Sequence, residues 1–397
     1  MKGLLFVLFF FQLVTAQERE IFAGKGIVDS VSVSGSDGES YAIYFPEKYN
    51  KENASAVVFI FEPVARGKIG LSPFVSASDF YNYVLVCSNN SKNGSLQNNK
   101  DIASRLIEHV VLHYKIDSNQ MYVAGFSGGS RLAGSLALNA GIFQGVIGCG
   151  ASFQPFDRFI QPANNFSYVG LVGYNDMNYQ EMVKNRSWLN KTNIKNELLV
   201  SEDGHVWPDN KQILRAFDWL ELQAYKKGIR KTNDSLINEL YLKNIKIADS
   251  LSVADDLVGA LMEYERINAN YSSKFIEPNL KEKIATIKNS KKYKQEIKEM
   301  ESVAVLEEEI ANRFSAQFDQ DLKRTDKGND FKFWKAQMKY FEENSNAAKG
   351  MHRQKMINRL KYKMRAMVYE AGEDFKRLNE GEKYTFCRQL LEALKKN

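Results

Sequence analysis

Residues 123–131 read "VAGFSGGSR". A serine, Ser127, stands between glycines where an apolar run gives way to small residues, and its reading decides what the first half of the chain is. If the preceding apolar run is a strand and the following segment a helix, Gly125-Phe126-Ser127-Gly128-Gly129 is a G-x-S-x-G turn. Such a turn thrusts its serine outward, and its flanking glycines remove the side chains that would collide. The plainer alternative is a serine that caps a helix, which serine commonly does.

Working outward, short β-branched runs alternate with helical patterns from about residue 26 to 230. "IVDSVSVSG" and "YAIYF" flank the turn "SDGES" and predict an antiparallel hairpin at a sheet edge. "AVVFIFE" (56–62), "YVLVCS" (83–88), "QMYVAGF" (120–126), "GVIGCG" (145–150), "YVGLVG" (168–173) and "NELLVSE" (196–202) read as buried strands. Amphipathic segments such as "KDIASRLIEHVVLHYKI" lie between most of them. Strands apolar on both faces that alternate with helices predict a mostly parallel sheet covered on both sides.

After about residue 230 glycine and β-branched runs thin out, and Lys, Glu, Leu and Met dominate. Apolar residues recur at helical spacing: Val303, Leu306, Ile310 and Phe314, then Trp334, Met338 and Phe341, then Met356, Leu360, Met364 and Met367. An all-helical second domain over 231–397 is expected, in the manner of stacked helix hairpins, although no fixed repeat period is found. Its expected role is recognition or scaffolding, with no catalytic group of its own.

The N-terminus carries Lys2, an apolar run from Leu4 to Phe11, and Val14-Thr15-Ala16 before a charged stretch. This predicts a cleaved signal peptide over 1–16, a first domain over 17–230, and a secreted or periplasmic protein. No cysteine follows the cleavage site to take a lipid, and no run reaches the length of about 20 residues that spans a bilayer. A net charge of +6 on 397 residues is mild and gives no reason to expect nucleic acid. Cys87, Cys149 and Cys387 are too few and scattered for a disulfide framework and read as structural.

A nucleophilic serine needs a base, and the base an orienting acid. Of the four histidines, His352 is in the helical half, and His109 and His113 precede the elbow strand. The latter two have the i, i+4 spacing of zinc ligands but lack the glutamate of H-E-x-x-H. His205 remains, in "SEDGHVWPD" after the last strand. Asp176, in "YVGLVGYNDMNY", directly follows the strand before it, and Asp157 in "QPFDR" is the alternative acid. The order Ser127, Asp176, His205 is that of α/β-hydrolases.

On these residues, 27–225 resemble an α/β-hydrolase, most similar to the secreted polyhydroxybutyrate depolymerase and feruloyl esterase-like group. The matching pieces are "AVVFIFEP", "VAGFSGGSR", "GYNDMNY" and "GHVWP". The resemblance implies ester hydrolysis through an acyl-serine, with no metal and no organic cofactor. Where many relatives carry "HG" in the oxyanion loop, this chain has Glu62-Pro63-Val64, and proline has no N–H to donate. The expected oxyanion donors are the N–H groups of Gly128 and Val64. The loss of one such donor costs about 2.7–4 kcal/mol. Asn89 and Asn90, in the loop "SNNSKNGSLQNN", and Trp207 are candidate substrate contacts. The partners implied are a small-molecule or polymeric ester, carbohydrate-linked among the options, and a protein bound through the helical half. The competing readings are a peptidase on the same fold and a weakly catalytic scaffold protein.

Overall fold

The computed structural model describes residues 26–152, 165–271, 275, 277–325, 330–345 and 350–395. The proposed signal peptide and Asp157 lie outside them. The chain divides into two compact units. The first comprises the residues up to Val172 together with Glu181–Ser201 and Val206–Thr232. The second comprises Gly173–Gln180, Glu202–His205 and Asn233–Asn397.

The strands of the sheet are β1 (Ile27–Ser32), β2 (Ser40–Tyr44), β3 (Ser55–Phe61), β4 (Tyr83–Ser88), β5 (Ile116–Phe126), β6 (Gly145–Cys149), β7 (Ser167–Gly173) and β8 (Lys195–Ser201), in the spatial order β1-β2-β4-β3-β5-β6-β7-β8. β1 pairs antiparallel with β2 at the edge, as the hairpin reading expects, and β2 pairs antiparallel with β4. The pairs β3–β4, β3–β5, β5–β6 and β6–β7 are parallel. β3 and β7 are buried along their whole length, which is why they read as continuous apolar runs instead of alternating ones.

Helices of the first unit are α1 (Gly67–Leu71), α2 (Val75–Tyr81), α3 (Leu96–His113), α4 (Gly128–Ala140), α5 (Tyr179–Leu189, which starts in the second unit) and α6 (Asn210–Lys226). They cover both faces. Val57, Phe59 and Phe61, alternate residues of β3, join Leu106 and Val110 of α3 and Leu132 and Leu136 of α4 in one core. On the other face Phe217 of α6 meets the rings of Phe74, Tyr81 and Tyr83. Local chemistry sets the helix starts. Ser95 caps α3, and Asp209 with Gln212 forms a capping box on α6. This mostly parallel sheet with helices on both faces is the α/β-hydrolase fold.

In the second unit the helices are α7 (Asp234–Val253), α8 (Leu257–Asn270), α9 (Leu280–Asn289), α10 (Lys291–Leu322), α11 (Lys332–Asn344), α12 (Met351–Arg377) and α13 (Gly381–Lys395). Asn233, Asp256 and Ser290 cap α7, α8 and α10. The stripes read from the sequence meet in one core, where Phe314, Trp334, Phe341, Leu360 and Met364 are fully or almost fully buried beside Leu390. Trp334 Nε1 donates to Asp321 Oδ2 at 2.8 Å, so its polar end is satisfied inside that core. Helix lengths, from 10 residues in α9 to 32 in α10, follow no common repeat. None of the helices among the described residues is long and apolar enough to cross a membrane.

The two units do not part cleanly near residue 230. The short segments that follow β7 and β8 group with the helices, and these segments carry Asp176 and His205.

Candidate active site

Ser127 sits between β5 and α4 with φ 52° and ψ −119°. For a residue other than glycine this region costs about 1–3 kcal/mol, and it persists only where the surroundings over-determine it. They do so here through the two flanking glycines. A Cβ on Gly129 would collide with the carbonyl oxygen of Phe61, at the end of β3. A Cβ on Gly125 would collide with the backbone of Gly129 itself. The Ser127 N–H donates to the Cys149 carbonyl at 2.8 Å, which ties the turn to the end of β6. Although Ser127 is at the N-cap position of α4, its side chain makes no capping bond to that helix. The capping alternative therefore does not describe it.

Arg131, the last residue of "VAGFSGGSR", forks Glu181 with bonds of 2.7 and 2.9 Å, and Glu181 also accepts from the hydroxyl of Ser152 at 2.6 Å. The motif's final arginine thus anchors α4 to α5.

The second unit holds the candidate acid and base. Asp176 is 1% exposed, and both of its carboxylate oxygens face His205 Nδ1, at 2.9 and 3.0 Å. An ionised carboxylate can only accept, so Nδ1 carries the proton and Nε2 is left with its lone pair. The Asn178 N–H donates to Asp176 Oδ1 at 2.8 Å and holds the carboxylate from the other side. The two loops are stitched together by Asn175, whose N–H donates to the Asp203 carbonyl at 3.0 Å and whose Nδ2 donates to the Glu202 carbonyl at 2.8 Å. A Cβ on Gly173 would collide with that same Asp203 carbonyl, so the approach of the loops requires glycine there.

The remaining sequence candidates divide. The Val64 side chain is 60% exposed, and its N–H donates to Glu62 Oε2 at 2.7 Å. Glu62 is buried and also takes bonds from the Arg66 backbone and guanidinium. The Val64 donor expected in the oxyanion hole is therefore engaged by Glu62, two residues before it. Asn89 and Asn90 are scaffold groups. Asn89 accepts from the Gly67 N–H and donates to Asp29, while Asn90 accepts from the Ser40 N–H and donates to the Gly38 carbonyl. Their side chains hold the loop against β2 and α1 instead of facing outward.

Asn93, from the same loop, is the residue that reaches the elbow. Its Oδ1 is the atom that a Gly128 Cβ would meet, with Nδ2 farther off, 3.7 Å from that point, and its N–H donates to the Pro63 carbonyl at 2.8 Å. The sequence signal was the loop's density of asparagine, which does not say which one points inward. The Trp207 ring packs 5.2 Å from that of Phe126, the neighbour of Ser127, and its Nε1 is buried with no hydrogen-bond acceptor.

The other titratable candidates are structural. His109 accepts from the Ser34 N–H, bonds the Tyr41 hydroxyl and stacks on His113 at 4.1 Å. Burial, and then the neighbouring His113, lower its pKa to about 4. All three cysteines are free and buried, and burial pushes their thiols up, which leaves them poor nucleophiles.

No family model and no curated protein matches the chain. Solved structures do match its first half. FphF, a fluorophosphonate-binding serine hydrolase of Staphylococcus aureus, is 13% identical over 49% of this chain and 98% of its own, with a TM-score of 0.42. An S-formylglutathione hydrolase from Staphylococcus aureus is 14% identical over 50% and 97%, with a TM-score of 0.40. A feruloyl esterase module from Clostridium thermocellum is 13% identical over 49% and 86%, with a TM-score of 0.39.

Proposed function

We propose that the chain is an exported serine hydrolase that cleaves a carboxylic ester through an acyl-serine intermediate. The observation that carries this reading is the buried Asp176 with both oxygens on His205 Nδ1, because that pairing leaves Nε2 as a base. The non-capping Ser127 in a strained turn supports it from the other unit. In this mechanism Ser127 Oγ attacks the ester carbonyl carbon while His205 Nε2 takes the hydroxyl proton. The carbonyl π bond becomes an oxyanion. Its collapse breaks the bond to the alcohol oxygen, which receives the proton from His205. Water then attacks the acyl-serine with the same base, and the acid leaves. Asp176 stays ionised throughout and stabilises the imidazolium.

The oxyanion donors in this scheme are the Gly128 N–H and, with its carboxamide turned so that Nδ2 replaces Oδ1 beside Gly128, the side-chain amide of Asn93, since Val64 is engaged by Glu62. Trp207 Nε1, buried and without an acceptor, is a donor for a substrate oxygen. The leader sequence supports export to a secreted or periplasmic location.

The test is reaction of the purified protein with a fluorophosphonate probe and turnover of a chromogenic ester. Wild type is expected to be labelled, and Ser127→Ala to lose the label and to fall roughly 10⁶-fold in turnover rate. The engaged Val64 N–H favours one second reading, a hydrolase-like scaffold without catalysis. A folded wild type that neither labels nor turns over would establish that reading instead.

A further inference from the structure

We propose that α12 of the helical unit is a positioning element for the acid–base pair, so that the catalytic geometry depends on residues 355–362, far along the chain from all three triad members. This rests on the hydrolase reading above. It deepens that reading by assigning to the helices a part in the chemistry of the site.

Four residues form one stripe of α12 at i, i+3, i+4 and i+7: Lys355, Asn358, Arg359 and Tyr362. Each meets the loops that carry Asp176 and His205. Arg359, 3% exposed, donates through Nη1 to the Tyr174 carbonyl at 2.7 Å. Its Nε and Nη2 fork the buried Glu307 of α10 at 2.8 and 2.6 Å, and Glu307 in turn accepts from Gln180 at 3.1 Å. The segment Tyr174–Gln180, with Asp176 inside it, is therefore held at both ends by one Arg–Glu pair. Only a guanidinium can fork a carboxylate and still spare a donor for a carbonyl.

Asn358 Nδ2 donates to Asn175 Oδ1 at 3.0 Å, the side chain that stitches the acid loop to the base loop. Lys355 Nζ bonds Glu202 Oε1 at 2.9 Å and lies 4.1 Å from the centroid of the Tyr174 ring, so it grips one residue of each loop. Tyr362 completes the stripe, its ring 5.6 Å from that of His205 and tilted by 54°. The imidazole is thus oriented by the carboxylate at one edge and by an aromatic ring against it. Burial, and then the Asp176 charge, raise the Tyr362 hydroxyl above its ordinary range, so the ring beside the base stays neutral. A guanidinium–carbonyl bond, an amide–carbonyl bond, an ion pair, a cation over a ring and a ring on the imidazole all run from α12 to two short loops. General packing between elements does not require this much polar specificity.

The experiment uses the full-length protein, p-nitrophenyl acetate as substrate, and proton NMR of the imidazole N–H resonances, assigned by comparison with His205→Asn. The double substitution Arg359→Met with Glu307→Gln removes the Tyr174 bond while leaving no unpaired buried charge, and its folding is checked by thermal unfolding. Misplacing a reacting group by about 1 Å costs on the order of 100-fold, so kcat is expected to fall about 100-fold with KM within about 3-fold. The low-field Nδ1 proton signal of His205 should broaden or vanish. Tyr362→Ala should lower kcat about 10-fold, and Tyr362→Phe, which keeps the ring, should restore it. Asn358→Ala provides a milder variant if the double substitution does not fold, with the same two readouts expected in the same direction. A folded variant with unchanged kcat and an unchanged His205 signal overturns the proposal, as does equal loss in Tyr362→Phe and Tyr362→Ala. If wild type shows the low-field signal but no turnover, the hydrolase reading falls, and the signal alone decides the positioning role.

Discussion

The elbow and the acid–base loops are two halves of one proposed catalytic machine, yet they are held in place by different kinds of information. Ser127 is fixed by its immediate neighbours. Gly125 and Gly129 admit the close approach of backbone to backbone and to the end of β3, and a bond to Cys149 closes the turn. Asp176 and His205 also have a local stitch, in Asn175, but much of their support comes from Glu307, Lys355, Asn358, Arg359 and Tyr362, more than a hundred residues away. A motif written in consecutive residues can be recognised from its letters. A support written in a distant helix face cannot, because its residues acquire meaning only from what they touch.

The comparison is open to direct attack, beginning with the largest expected effect. Asp176→Asn should lower kcat about 10⁴-fold, since an amide in that place no longer selects the His205 tautomer that carries its proton on Nδ1 and its lone pair on Nε2. Kinetics with a chromogenic ester check this, and a loss smaller than tenfold would mean that another carboxylate, Asp157 first among them, orients the base. On the elbow side, Asn93→Ala should cost roughly 10²–10³ in kcat with little change in KM, the effect of removing one oxyanion donor. If instead Val64 can leave Glu62 to serve the hole, Asn93→Ala will behave nearly as wild type.

The smallest effect concerns the edge of the sheet, where His109 of α3 meets the β1–β2 hairpin. The His109 pKa is lowered from 6.5 to about 4, by burial first and by His113 second. Above pH 6.5 the ring is neutral in both folded and unfolded chains and contributes no pH dependence. As the pH falls from 6.5 toward 4, the unfolded chain binds the proton first, so stability is lost across that window. Urea unfolding of wild type and His109→Gln between pH 7 and 4 should show a steeper decline in wild type, with no difference in esterase rate at pH 8. Parallel stability curves would mean that His109 is protonated in the fold as readily as in the unfolded chain.

Much of the fold was legible. Strand positions follow from β-branched runs bounded by turns. β4 coincides with "YVLVCS", and β3, β6, β7 and β8 begin or end within one residue of the runs that announced them. β5 starts earlier, at Ile116, because its first residues are partly or wholly exposed and carry no apolar signal. The helical texture beyond residue 230 is equally plain, since a core stripe such as Trp334, Met338 and Phe341 leaves its period in the sequence.

Within the candidate site, the letters alone were enough to single out Ser127, and chain order with a short list of histidines led to Asp176 and His205. These residues could be singled out because strand, turn and serine are contiguous, and because the loops at strand ends follow from topology. Which asparagine of residues 88–99 touches Gly128, whether the Val64 N–H is spoken for, and which helix face meets the acid loop were decided only by the folded chain. The physical reason is that a hydrogen bond is specified by distance and direction. Residues such as Glu62, Asn93 and Arg359 look like ordinary surface polar residues in a linear string. Only when the backbone brings Glu62 under Val64, Asn93 against Gly128 and Arg359 onto the Tyr174 carbonyl do they become parts of a site.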